Sequence, residues 1–254
     1  MKLPLNKGPL PKTTLDLILG SSYPLTVSAF LVHQESSYLV LLADSLGTKT
    51  HAAGGAPYPV TAPKLVHVAP GVYAAHAGTL QPAIDMLSEL GKTLEQATTW
   101  DAVTAHMKGI GETVYTRYQE RFKSDSFDVR VVIILTGDRR HPTDIEHDRC
   151  SSIVLWEVAR KFEPHHVTGH IHFAGSVPLS ELASNFLAQP LLAGMLCQGP
   201  LAATHALVAA HAALCKLSST ISPDANVVVI GEDDEHTVLH GTLLDLAQAV
   251  LIKG

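Results

Sequence analysis

The chain has 254 residues, 46% of them hydrophobic and 17% charged, enough apolar content to bury a sizeable core as one compact domain. A formal net charge of -6, with no run of Lys or Arg, argues against nucleic acid or an anionic membrane as the main partner. Cys150, Cys197 and Cys215 are odd in number and lack CxxC spacing, and no long apolar span or secretory segment is present, so a cytoplasmic protein without a disulfide framework is expected.

Residues 25–33 and 38–44 are rich in strand formers and flank the polar Gln34-Glu35-Ser36-Ser37, which predicts a hairpin. After Gly54-Gly55 and two prolines, residues 64–68 and 72–76 are parted by Ala69-Pro70-Gly71 and predict a second hairpin, whose last strand ends at Gly78. The apolar period then changes from two to about 3.6. Leu80, Ala83, Ile84, Leu87 and Leu90 line one face of a helix over 80–95. Val103, Met107, Ile110, Val114 and Tyr118 line a second over 99–122, with Thr98 and Asp101 in capping-box spacing ahead of it.

The second half repeats strands first and helices second. β-rich runs cover 127–136, 152–158 and 168–173, helices over 178–196 and 200–217 each start on a proline, and 226–231 with 236–239 form a last hairpin around Glu232-Asp233-Asp234-Glu235. Two helix pairs and two sets of antiparallel strands imply an α+β fold, a four-layer αββα sandwich with sheet packed on sheet and helices outside. A generic α+β sandwich of different connectivity is the other option.

The chemistry concentrates near the N-terminus, in Ala43-Asp44-Ser45, Ala62-Pro63-Lys64 and Ala75-His76-Ala77-Gly78, with Thr26 one hairpin upstream of Asp44. An N-terminal-nucleophile amidohydrolase needs these residue types. A threonine whose own α-amine is the base attacks an amide, a lysine and an aspartate set the charge balance, and a glycine N–H receives the oxyanion. A lysine at the head of a buried strand lowers the pKa of a neighbouring amine and hydroxyl, and Asp44 keeps that lysine charged. Taken one at a time, each charge also fits a plain strand end.

In order and interval these segments resemble the proteasome-type branch of the N-terminal-nucleophile hydrolases, the threonine peptidases. The matching pieces are Leu42-Ala43-Asp44-Ser45, the strand from Lys64 to Val68, the strand end His76-Ala77-Gly78, and Phe173-Ala174-Gly175-Ser176 before a helix. Lys64 and Gly78 stand fourteen residues apart, the interval of the family's lysine and oxyanion glycine. The resemblance implies a leader over 1–25 and a single domain over 26–254. It implies Thr26 as nucleophile after leader removal, Asp44 as acidic partner, Lys64 as the cation beside the nucleophile and Gly78 as oxyanion donor. Ser176 would lie near the nucleophile's amine, with a plain N-cap as its other reading. His76 would stand in the wall of the substrate pocket, or be a half-buried strand residue. The Thr26 hydroxyl, the Lys64 ammonium and the Asp44 carboxylate are expected to converge.

Two departures accompany this. Thr26 precedes Asp44 by eighteen residues, two more than the family commonly shows, which a longer loop at Gln34–Ser37 would absorb. The family's later Asp-x-x-Ser-Gly-Gly stretch is replaced by residues 216–224, Lys-Leu-Ser-Ser-Thr-Ile-Ser-Pro-Asp. The implied function is a threonine-type amide or peptide hydrolase that assembles with copies of itself. The alternative is a non-catalytic scaffold or assembly subunit that keeps its N-terminal extension. An ATPase partner cannot be read from the chain.

Fifteen histidines are more than usual. His165-His166 and His170-x-His172 fall within eight residues, and alternate strand positions share a face as metal ligands can. Scatter of a His-rich composition explains them as well, and neither metal nor cofactor is expected. Gly109 and Gly111 form no phosphate loop, because they lie inside a helical pattern with no preceding strand.

Overall fold

A computed structural model of the chain describes residues 26–27, 30–34, 37–49, 58–61, 64–122, 128–167, 171–174, 185–217, 221–231 and 236–242. The first half supplies β1 (Thr26–Val27), β2 (Phe30–Gln34), β3 (Tyr38–Asp44), β4 (Leu46–Lys49), β5 (Tyr58–Thr61), β6 (Leu65–Ala69) and β7 (Val72–Thr79), then helices α1 (Leu80–Thr93) and α2 (Trp100–Phe122). The second half supplies β8 (Val129–Thr136), α3 (Pro142–Glu146), β9 (Ser151–Glu157), β10 (His165–Val167), β11 (Ile171–Ala174), α4 (Pro190–Leu196), α5 (Pro200–Leu217), β12 (Asp224–Gly231) and β13 (His236–Thr242).

The strands form two antiparallel sheets. One runs β10-β9-β8-β7-β1-β4-β5, with β6 also on β7, and the other runs β11-β2-β3-β12-β13. Strand alternation makes the layers. On β3, Leu39, Leu41 and Ala43 meet Tyr73, Ala75 and Ala77 of β7 and Val132 and Ile134 of β8 between the sheets. The intervening Val40 and Leu42 pack outward on Ala203, Leu207 and Leu214 of α5. Val72 and Ala74 of β7 turn the other way, with Val129, Val131 and Ile133 of β8, onto Met86 and Leu90 of α1 and Met107 of α2. Because successive side chains point to opposite faces, two buried faces require the near-continuous apolar runs that β3 and β8 carry. The result is the four-layer αββα sandwich.

One described helix, Pro200–Leu217, is long and apolar enough to cross a membrane, and its apolar side is taken up by this core. Both helix pairs lie where the periodicity puts them, although α1 ends at Thr93 and α2 begins at Trp100. Residues 178–184 of the expected third helix are outside the described residues, and its remainder is interrupted ahead of Pro190, where α4 begins.

One strand read as single is split between the sheets. Residues 25–33 become β1, paired in the first sheet with β4 and β7, and β2, paired in the second with β3 and β11. The strand read over 168–173 appears as β11 against β2, its residues 168–170 lying outside the described residues, and β10 against β9, just ahead of it, was not foreseen. A chain crossing between stacked sheets stays extended on both sides, so its composition does not mark the crossing. The β2–β3 ladder runs in unbroken register from Phe30↔Ala43 to Gln34↔Leu39. The extra length ahead of Asp44 therefore includes Thr26–Val27, in the other sheet. Three further short elements were not foreseen. β4 and β5 are four residues each beside glycines and prolines, and α3 is capped by His141 Nδ1, which accepts from Thr143 N.

Candidate active site

Asp44 is the last residue of β3, and Lys64 stands immediately before β6. Both side chains are fully buried, and the Lys64 ammonium donates to Asp44 Oδ1. The other carboxylate oxygen accepts from Ser222 N at 3.1 Å and from Leu46 N at 3.3 Å. Burial pushes the Lys64 amine below its ordinary value of 10.5, while the charge of Asp44 and its hydrogen bond pull it back up. A lysine held this way releases a proton more readily than one in water.

Ser222 ties this pair to α5. Its carbonyl accepts from His211 Nε2 at 2.8 Å and from Cys215 Sγ at 3.3 Å. Burial lowers the His211 pKa, and it raises the Cys215 thiol to about 11, so the thiol is no nucleophile near neutrality. Sequence reasoning missed Ser222, whose contribution is a backbone N–H that any residue but proline could supply. It missed His211 and Cys215 too, although their four-residue spacing puts both on one helical face.

Gly78 has φ +88, and a Cβ added there would lie 2.1 Å from the Asp128 carbonyl oxygen. Only glycine fits this backbone. Along β7, His76 N donates to Lys64 O on one edge at 3.1 Å, and Thr79 N donates to Asp128 O on the opposite edge. Amides alternate along a strand, so the Gly78 N–H faces the same edge as that of His76. Gly78 is there opposite Val27 of β1.

β1 is thus a two-residue strand seated between two others, with Thr26 opposite Thr79 and Thr48, and Val27 opposite Gly78 and Gly47. Lys64 faces His76, two residues along β7 from Gly78 or about 7 Å. Thr26 is one residue farther, about 10 Å along the edge. Asp44 and Lys64 are in contact and Gly78 is on the adjoining strand. The Thr26 side chain and Ser176 lie outside the described residues. His76 is fully buried and shares the alternation of β7 with Ala74 and Gly78, so a residue paired opposite Gly78 turns toward the face that carries His76.

His165 and His166 lie on β10 and His172 on β11, in different sheets, His170 lies outside the described residues, and no group of three metal-ligating side chains occurs among the described residues. Two shallow grooves run along α2, one lined by Glu112, Thr116 and Arg117 and the other by His106, Gly109 and Glu89 of α1, and neither is lined by Lys64 or Asp44.

No family model matches the chain, and no curated protein matches it. Among solved structures it is similar to Anbu (ancestral beta-subunit) from Yersinia bercovieri, with TM-score 0.63 and 12% identity over 89% of this chain and 94% of that one. Anbu from Hyphomicrobium sp. strain MC1 follows with TM-score 0.60, 12% identity and the same coverage. These findings overturn membership in the threonine-peptidase branch as read from the motifs. The likeness is one of fold, which fits the proteasome-type architecture. The physical reason is that a layered core tolerates wide replacement at constant pattern, so architecture outlasts the residues that define a family.

Proposed function

We propose that this chain is an amide-bond hydrolase that receives an extended peptide as an added strand beside β7. The observation that carries the reading is the fully buried Lys64–Asp44 pair two register positions from Gly78. A carbonyl seated opposite Gly78 meets an N–H held by a backbone that admits no side chain, the arrangement that favours a developing oxyanion. Lys64, with its proton loosened by burial, promotes attack by a hydroxyl of the segment that begins at Thr26, and Asp44 holds its ammonium in place. Main-chain pairing selects an extended backbone rather than a particular sequence, and His76 lies on the face that would meet the residue opposite Gly78.

Thr26 with a free α-amine is the nucleophile that the motif order suggests. Assembly with further copies belongs to the same reading, and Leu191, 75% exposed at the start of α4, offers an apolar contact for it. The test is hydrolysis of a panel of fluorogenic peptide amides by the purified chain and by Lys64→Ala. Hydrolysis by the parent, reduced about 100-fold or more in the variant, is the expected result. A folded parent with no amidase activity on any peptide favours the non-catalytic scaffold that retains its N-terminal extension.

A further inference from the structure

Resting on that hydrolase reading, we infer that His211 of α5 is a positioning residue of the site: by donating to the Ser222 carbonyl it fixes the Ser222 N–H on Asp44, and so holds the Asp44–Lys64 pair in its working geometry. Each link has a direction. A carbonyl can only accept, so His211 Nε2 carries the proton and donates to Ser222 O at 2.8 Å. Ser222 N donates to Asp44 Oδ2 at 3.1 Å, and Asp44 Oδ1 accepts from the Lys64 ammonium. The Ser222 carbonyl and N–H belong to different peptide groups joined through one Cα, so the coupling between them is one of position.

Ser222 has little freedom to pivot about that Cα. Pro223 follows it and restricts its backbone to the extended region, and its Oγ accepts from Asp224 N at 3.0 Å. Asp224 O in turn accepts from Ser45 N at 3.1 Å, next to Asp44. What anchors this clip to a helix is α5, through His211 and through Cys215 Sγ one turn farther on.

Of the two N–H groups on Asp44 Oδ2, that of Leu46 is two residues along the chain and moves with the carboxylate. That of Ser222 comes from the other half of the sequence and sets the carboxylate relative to the rest of the fold. A carboxylate without that donor is more basic and holds the Lys64 proton harder, and a slack segment at Ser222 admits water to the ammonium. Both changes return Lys64 to the behaviour of an ordinary lysine, the opposite of what burial does to it here. His211 is 2% exposed, and its helical neighbours Leu207 and Leu214 are packed on β3, so packing alone would be met by an apolar side chain. The charged and titratable groups that face it are Asp44 at the end of β3, Lys64 ahead of β6, and Cys215 on its own helix, which shares its acceptor. Burial keeps the imidazole neutral, and the neutral ring already carries the Nε2 proton that the link requires.

The experiment titrates Lys64 by NMR in the isotope-labelled full chain, following its Cε resonance, and measures hydrolysis of a fluorogenic peptide amide by the same proteins. Three variants stand beside the parent. His211→Leu fills the space without a donor, and His211→Gln carries an amide nitrogen at the position of Nε2. His211→Asn ends one atom short of it and replaces the leucine variant if that one does not fold. The inference expects a Lys64 midpoint below 10.5 in the parent, a rise toward that value in His211→Leu and His211→Asn, and a return near the parent in His211→Gln. With it, kcat should fall about tenfold in the first two with KM within about twofold, and recover in His211→Gln. A Lys64 midpoint that is the same in all four proteins, or that rises as far in His211→Gln as in His211→Leu, overturns the inference, and hydrolysis by the parent then leaves the hydrolase reading standing. A midpoint that follows the Nε2 donor in a parent that cuts no peptide amide supports the positioning and fells the hydrolase reading instead.

Discussion

Two buried aspartates divide the labour of this fold. Asp44 and Asp144 are both at most 1% exposed, and each carries a basic partner and hydrogen-bond donors. Asp144, on α3, takes Arg149 at 3.0 Å, Ser152 Oγ at 2.6 Å and His166 Nε2 at 2.6 Å. His166 is in turn stacked on His141, ring centroids 4.0 Å apart, and Trp100 meets both edge-on. Arg149 keeps 27% of its side chain in water, so this carboxylate fastens α3 to β9 and β10 without a fully desolvated cation. Lys64 has no such access to water. A cation stripped of solvent is costly to keep and has its proton loosened, which is useful to a reaction and of little use to a fold.

The largest expected effect breaks the costly pair. Lys64→Ala leaves Asp44 buried without its cation and should lower stability by about 3–5 kcal/mol, whereas the double change Asp44→Asn with Lys64→Met, which removes both charges, should recover much of that. Chemical denaturation of the parent and the two variants reads the difference. Next, Gly78→Ala forces a side chain onto the Asp128 carbonyl at a left-handed backbone position, at a cost of about 1–3 kcal/mol for the backbone alone, and should abolish hydrolysis even where the protein remains folded. Asp144→Asn keeps an acceptor for Ser152 and loses one charge beside a half-solvated arginine. A smaller loss, about 1–2 kcal/mol, is expected, with peptide hydrolysis unchanged. If Asp144→Asn removes activity as fully as Lys64→Ala does, the division between the two aspartates is wrong.

The smallest effect is one of pH. Burial depresses the pKa of His211, beneath Asp44, and of His141, beside Asp144, whose neighbour His166 depresses it further. The unfolded chain takes up protons near pH ~6.5 that both folded environments keep off. Their contribution is therefore fully present above about pH 6.5 and is lost as pH falls through the lower folded values. Thermal melts between about pH 7 and 5 should show a declining midpoint, and His211→Gln should flatten part of the decline.

Much of the architecture was legible because two-sided burial writes itself into β3 and β8 as near-continuous apolar runs, and because α1 shows a single buried stripe. The intervals singled out Asp44, Lys64 and Gly78, and the first two are in contact. The path of the chain from β1 to β2 was not. A two-residue strand has no alternation to read, so Thr26 and Val27 looked like the start of β2. The support of Asp44 by Ser222 was hidden because it runs through a main-chain N–H. The metal possibility among the clustered histidines rested on spacing, and spacing carries no sign that β10 and β11 enter different sheets.

The account stands most directly on whether the Lys64–Asp44 pair does chemistry on the strand beside it. The decisive measurement is the mass and N-terminal residue of the folded protein with Lys64 and with Lys64→Met. The account predicts a chain beginning at Thr26 in the first and a whole chain in the second. Identical N-termini in the two proteins, whether cut or whole, would contradict it.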